Sequence, residues 1–347
     1  MTDQLLSTHK TGALWQIRLD RPKALNALNL DLLKQLDAAL AAGFADPEVK
    51  TIWLDSQAAR AFCAGGDVKA LALALIDEPT DDAKRQLATE YFELEYAIDL
   101  LIEQSPKPIV VFAEGITFGG GWGLFAGANL KLCSDSATFA MPEIQIGLYP
   151  DVGAAHFLQQ GDWRLGTFLA ISGITLSAAE ALALGFVDGL ITHDYAQSLQ
   201  RQLSAGLAPS ELDILSVDPR IEPLYQQWHS ALQLLPKTGT LSDWLVIAEQ
   251  NSQLEPFARA IDSWATGSAW SIALTWQHFS RQRGKTRAEV LVQELVTGAN
   301  ACAYPEFVLG VQAKLIDKLP RADWAYDRVE SVPIDELNAV LATPPIA

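Results

Sequence analysis

The chain has 347 residues, enough for two domains or one large domain with an appendage. Apolar residues make up 49 %, which provides for a sizeable core and argues against disorder. The formal net charge of −17 argues against general nucleic-acid binding, which needs a basic surface. An anionic ligand would have to be held by a few local lysines against an unfavourable global field. Cys63, Cys133 and Cys302 are scattered and odd in number, with neither a disulfide framework nor a CxxC pair, so a reducing cytoplasm is expected. Apolar runs such as 108–113 have strand length rather than membrane-spanning length. The opening Met1-Thr2-Asp3-Gln4 shows no charged segment followed by an apolar one, so no secretory leader is expected.

Residues 13–19 alternate apolar and polar and predict a strand, which Asp20-Arg21-Pro22 ends. A loop over 23–28 leads to a helix that Asn29 or Asp31 could cap, with Leu33, Leu36 and Leu40 as its apolar stripe. Further strands are predicted at 51–54, 109–112 and 130–133, and residues 61–67 form a turn that opens into a helix. Gly119 to Gly121 lead into a small-residue helix from Trp122. Ser177-Ala178-Ala179-Glu180 is a capping box for a short helix that Gly185 stops. This rhythm predicts a layered α/β fold with largely parallel strands. Strand signals fade after about residue 195, and helical patterns follow at 199–207, 223–235, 241–250 and 270–283. The expected division is therefore a core domain over 1–195 and a helical C-terminal region over 196–347.

Two small-residue turns carry the chemistry. Gly119-Gly120-Gly121 stands between a strand and a helix, where the missing Cβ atoms let the backbone approach a ligand and helix N-terminal N–H groups favour an oxyanion. A tight, closely packed turn is the plainer use of such a triplet. The second turn, Ala64-Gly65-Gly66, shifts the balance, because an oxyanion hole needs two converging donors. Glu143 follows a proline in an apolar stretch, so its carboxylate is expected to be desolvated and its pKa raised. Asp151 reads equally as a turn or capping residue. Glu95 stands at the edge of the stripe Leu94, Ile98, Leu101, Ile102, where it could also reach solvent. Gly284-Lys285-Thr286 only mimics a phosphate loop, since Phe279 occupies the place of the required glycine. The five histidines have no metal-ligand spacing.

Four segments together resemble the crotonase (enoyl-CoA hydratase/isomerase) superfamily. They are Arg21-Pro22-Lys23-Ala24-Leu25-Asn26-Ala27-Leu28, Phe62-Cys63-Ala64-Gly65-Gly66-Asp67-Val68-Lys69, Gly115 to Gly121, and Leu176 to Gly185. The run Ala140 to Gly153, the pair Glu95-Tyr96 and the tail Lys314 to Lys318 resemble the 3-hydroxyisobutyryl-CoA hydrolase branch. The resemblance implies a crotonase-like layered β-β-α superhelix with a helical C-terminal region. It places the oxyanion donors on the backbone N–H groups of Ala64 and Gly120. Of the two glutamates that hydratases use, one falls on Glu143 and the other on Gly123, which argues against plain enoyl-CoA hydration. The hydrolase branch pairs Glu143 with Asp151.

The implied activity is thioester hydrolysis of 3-hydroxyisobutyryl-CoA, or a similar short 3-hydroxyacyl-CoA, in valine catabolism. The alternative is an enoyl-CoA hydratase/isomerase acting on a short acyl-CoA. Glu143 attacks the carbonyl or activates water, and Asp151 binds the 3-hydroxyl or assists the leaving thiolate. Glu95, Gly65, Gly66, Asp67 and Gly119 are expected around the acyl group, and Lys23, Ala24, Lys69 and Lys318 around CoA. No metal or separate cofactor is needed, CoA being part of the substrate, and no membrane or nucleic-acid partner is expected. Relatives in the superfamily often form trimers through C-terminal helices. The longer tail here could instead fold back over its own site.

Overall fold

The strand Leu14–Leu19 pairs antiparallel with Leu6–Thr11 on one side and parallel with Thr51–Ser56 on the other. A six-stranded sheet continues from there through Ile109–Ala113, Leu130–Cys133 and Gly189–Leu190, all parallel. A second sheet has four short strands, in the order Ala61–Cys63, Ile116–Phe118, Thr138–Ala140 and Leu176–Ser177. The computed structural model of the chain describes residues 4–58, 60–214 and 218–342; Met1 to Asp3, on which part of the leader reading rests, lie outside them. The layered α/β expectation with mostly parallel strands holds.

Local chemistry explains the helices. Asn29 caps the helix Leu30–Ala45 by accepting the Leu32 N–H at 2.9 Å. Leu32, Leu33, Leu36 and Leu40 are fully buried on it. Gly43 is required there, because a Cβ would lie 2.6 Å from the Trp15 ring. Ser177 and Glu180 close the expected capping box on Ala178–Ala183. The helix His193–Ser204 buries Ala196, Leu199 and Leu203 in one cluster with Trp53, Val110, Phe112 and Leu132 of the large sheet. Each such leucine contributes roughly 1.5–3 kcal/mol by leaving water.

Packing divides the chain into two compact units that interleave in sequence. One holds residues 1–66, 97–140 and 175–225, with both sheets; the other holds 67–96, 141–174 and 226–347. This differs from a cut at residue 195. The helix His193–Ser204 packs with the sheets, whereas 67–96 and 141–174 join the C-terminal helices. Arg164 shows why: its buried guanidinium donates to the carbonyls of Leu232 and Leu235 at 2.9 and 2.8 Å. Phe168 meets Trp228, Phe257 and Trp264 edge-on. The helical unit also includes Glu255–Trp264, Arg287–Ala303, Pro305–Val311 and Ile334–Leu341. No helix among the described residues is long and apolar enough to cross a membrane.

Candidate active site

In the sheet unit, the two small-residue turns lie against each other. Gly65 has φ +99°, and a Cβ there would stand 3.0 Å from the Phe118 carbonyl oxygen and 3.5 Å from the Gly120 nitrogen. Gly121 is pressed still closer, with a Cβ placed 2.3 Å from the Cys63 carbonyl oxygen. These are the close approaches that glycine permits. Gly119, at φ 50° and ψ −124°, precedes the helix Gly120–Ala126, so Gly120 opens it with an N–H that has no intrahelical acceptor. Among the described residues no hydrogen bond takes up the Gly120 N–H.

The loop 21–28 braces the other turn. Asn26, itself left-handed at φ 55° and buried, donates to the carbonyls of Ala61 and Phe62 at 3.1 and 3.0 Å. The Leu25 carbonyl then accepts the Ala64 N–H at 3.0 Å, and the Gly65 N–H donates to Cys63 Sγ at 3.4 Å. The Ala64 amide is thus engaged inside the protein, which is a correction to its expected place as an oxyanion donor. The Gly66 N–H, by contrast, has no acceptor among the described residues. Lys23 and Ala24 lie at the start of this loop, Lys23 exposed and Ala24 half-buried, in the short 3₁₀ turn Pro22–Ala24.

In the helical unit, Glu143 opens the 3₁₀ turn Glu143–Ile146, which Gly147 closes at φ +70°. A Cβ on Gly147 would stand 2.1 Å from the Glu306 carbonyl oxygen, so this corner admits only glycine. Glu143 is buried, and its Oε2 meets no hydrogen-bond partner among the described residues. Burial, then the charges of Asp151 and Glu294, push its pKa well above the ordinary carboxylate range.

Asp151 is buried too, and its Oδ2 accepts a hydrogen bond from the Tyr96 hydroxyl at 2.7 Å. Burial and neighbouring Glu294 raise its pKa to about 7, while the Tyr96 bond works the other way. Val152, the next residue, has φ 53°. For a β-branched residue that is a strained conformation, costing on the order of 1–3 kcal/mol.

Glu95 does not reach for solvent: it is 2 % exposed. Burial, then Glu95, Asp67 and Asp151 in turn, raise the pKa of Tyr91, whose hydroxyl accepts the Asp67 N–H at 3.1 Å. Asp67 also caps the helix Val68–Asp77 through Ala70 N–H. Tyr91, Glu95 and Tyr96 therefore present one helix face toward the acidic cluster. Lys69 and Lys318 are both exposed in adjoining segments, since the helix Val68–Asp77 packs against the turn Gln312–Ile316.

Four participants escaped the sequence reading of this cluster. Glu294 Oε2 accepts the Gly153 N–H at 2.7 Å, and its Oε1 meets His278 Nε2 at 3.1 Å. Burial lowers the His278 pKa to about 3, so this imidazole is neutral, and one proton is shared between its Nε2 and Glu294 Oε1. Arg287, almost wholly buried, donates to the Val152 carbonyl at 2.9 Å. Tyr149 donates to the Glu294 backbone carbonyl at 3.0 Å. The only signal of Glu294, His278 and Arg287 in sequence was a charged or polar residue on an apolar helix face, far along the chain from Asp151, and Tyr149 gave none beyond standing two residues before it.

Buried carboxyl groups of raised pKa, and a separate pair of main-chain donors unengaged among the described residues, are the parts that acyl-group chemistry uses. The comparisons agree. Residues 14–341 match the family model described as enoyl-CoA hydratase/isomerase, and the chain belongs to that family, whose members act on CoA thioesters. An enoyl-CoA hydratase structure from Rhodobacter sphaeroides 2.4.1 superimposes with a TM-score of 0.87 at 28 % identity, covering 98 % of this chain and 97 % of that one. A carnitinyl-CoA dehydratase structure from Mycobacterium thermoresistibile gives 0.86 at 25 % identity, covering 99 % and 98 %. The fold is thus the crotonase fold with a helical C-terminal region. The 3-hydroxyisobutyryl-CoA hydrolase, mitochondrial, of Xenopus laevis is 31 % identical over 95 % of this chain and 86 % of its own length. The protein of the same name from Homo sapiens is 29 % identical with the same coverage.

Proposed function

We propose that this enzyme hydrolyses the thioester of a short 3-hydroxyacyl-CoA, with 3-hydroxyisobutyryl-CoA as the first candidate and valine catabolism as its setting. The observation that carries the reading is the pair Glu143 and Asp151: two buried carboxyl groups of raised proton affinity, with the charge of Asp151 adding to the burial that raises Glu143 and Glu294 adding to the burial that raises Asp151. Such a pair holds a proton on one member while the other is ionised. The names of the relatives support the same substrate.

In this reading the thioester carbonyl oxygen accepts the Gly120 N–H. The second donor is reassigned from Ala64 to Gly66, because the Ala64 N–H is spent on Leu25. Removing one such donor typically costs roughly 2.7–4 kcal/mol of barrier. Glu143 either adds directly to the carbonyl, giving an anhydride that water then opens, or takes a proton from the attacking water. In both cases the C–S bond breaks as a C–O bond forms. Asp151, with a pKa near 7, can hold the proton that the leaving thiolate needs. Glu95 and Asp67 border the acyl group, with Gly65 and Gly119 shaping it, and Lys23, Ala24, Lys69 and Lys318 meet CoA. The chain needs no separate cofactor. Three buried cysteines outside any disulfide among the described residues fit a reducing compartment, and the cytoplasm is the proposed location.

A second reading, hydration of a short enoyl-CoA, draws on the name of the Rhodobacter structure. Gly123, where the resemblance puts the second hydratase glutamate, speaks against it. A thiol-release assay across a panel of acyl-CoA esters tests both. Fast CoA release from 3-hydroxyisobutyryl-CoA with slow water addition to crotonyl-CoA is expected; the reverse pattern returns the enzyme to the hydratases.

A further inference from the structure

After Asp151 the backbone turns through two successive left-handed residues, Val152 at φ 53° and Gly153 at φ 81°. A valine holds that conformation only where its surroundings over-determine it. Those surroundings come from two distant helices, Ala269–Gln282 and Arg287–Ala303. Arg287 Nη2 holds the Val152 carbonyl at 2.9 Å. Glu294 Oε2 holds the Gly153 N–H at 2.7 Å, and the Ala155 amide also donates to this carboxyl group. His278 and the Tyr149 hydroxyl fix Glu294 in turn, at its side chain and its backbone carbonyl. There is no slack in the clamp, since a Cβ on Gly153 would stand 2.6 Å from Arg287 Nε.

We propose that Glu294 and Arg287 are positioning residues, which hold the strained Val152–Gly153 turn and through it aim the Asp151 carboxyl group at its work. The inference rests on the role given above to Asp151. Neither residue needs to touch substrate. A glutamine amide at position 294 would still accept the Gly153 N–H through its oxygen.

The test combines crystal structures with thiol-release kinetics of E294A, E294Q and R287M in the full chain. In E294A, Val152 should relax to negative φ and the Tyr96–Asp151 hydrogen bond should be lost. Its kcat should fall about a hundredfold with KM changed less than about twofold, the signature of a misplaced group. E294Q, which keeps an acceptor for Gly153, should retain the turn and at least about a third of kcat. R287M, which removes the donor to Val152 and leaves the Glu294 carboxyl in place, should lose about tenfold in kcat and keeps the test alive if E294A does not fold. An E294A or R287M structure with turn and Tyr96 bond unchanged would overturn the proposal, as would an E294Q enzyme that keeps the turn yet loses kcat as E294A does. If the wild-type enzyme releases thiol from no acyl-CoA, the functional reading fails, while the crystal structures still decide whether these residues hold the turn.

Discussion

The Tyr96 hydroxyl donates a hydrogen bond to Asp151 Oδ2 at 2.7 Å, both groups buried. Tyr96 sits in the C-terminal half of the helix Asp81–Glu103, and Phe92 stacks on its ring from one turn away. Gly298 of the helix Arg287–Ala303 lets both rings approach, since a Cβ there would meet Phe92 at 3.1 Å and the Tyr96 hydroxyl at 3.5 Å. The proton affinity of Asp151 is therefore set partly by helix packing.

That bond favours the ionised carboxylate, so Y96F should raise the Asp151 pKa above its present value near 7. A hydrogen bond to a charged group is worth roughly 1.5–3 kcal/mol, or about one pH unit or more. The limb of the kcat profile that belongs to Asp151 should move by that amount to higher pH. A profile that stays in place would remove Tyr96 from control of this group.

Stability should carry the same signature. Asp151 and Glu294 have folded-state pKa values of about 7 and about 8, above their ordinary 3.8 and 4.5. An acid with a raised folded pKa binds its proton more tightly in the native state. Its contribution is complete below the unfolded value and is lost as pH rises through the folded one. His278 works oppositely, because its pKa is lowered from 6.5 to about 3, so it costs stability as pH falls below 6.5. The clean window is pH 6.5 to 8, where Tm should fall as pH rises. E294Q should flatten that slope. An unchanged slope in E294Q would mean Glu294 titrates alike in both states.

Two glycines of similar backbone conformation should answer an alanine very differently. Gly147 and Gly161 have φ +70° and +81°. At Gly161 nothing lies within 4 Å of a new Cβ, so only strain is added, roughly 1–2 kcal/mol. At Gly147 the Cβ meets the Glu306 carbonyl oxygen at 2.1 Å, and the loss should reach about 4 kcal/mol or more. Urea midpoints measure both. Equal losses would show that the Gly147 corner can yield.

Gly65→Ala probes the paired turns. Its Cβ, 3.0 Å from the Phe118 oxygen and 3.5 Å from the Gly120 nitrogen, should force the turns apart. We expect kcat to drop about a hundredfold with little change in KM, because the loss falls on transition-state donors. Wild-type turnover in this variant would contradict the placing of an oxyanion site at these turns.

Much of this was legible because the signals are local. Asn29 and the Ser177–Glu180 box announce their helices by side-chain chemistry within four residues, and the longer strands show their period. The strands Ala61–Cys63 and Leu176–Ser177 are too short to show any period. Glu143 stood out through its proline and apolar flanks. Glu95 did not, because an edge position fits burial or exposure equally and its burial is decided by tertiary packing. The engagement of the Ala64 amide depends on where Asn26 sets the Leu25 carbonyl, a contact no pattern around Ala64 encodes. Glu294, His278 and Arg287 were hidden for the same reason: each meets the 149–153 loop only after the helices pack.

The most direct measurement is CoA thiol release from 3-hydroxyisobutyryl-CoA by the wild-type enzyme and by E143Q, with the dissociation constant of the ester measured alongside. The account predicts rapid release by the wild type and at least about a hundredfold slower turnover in E143Q, with affinity unchanged. Near-normal release by E143Q would contradict it.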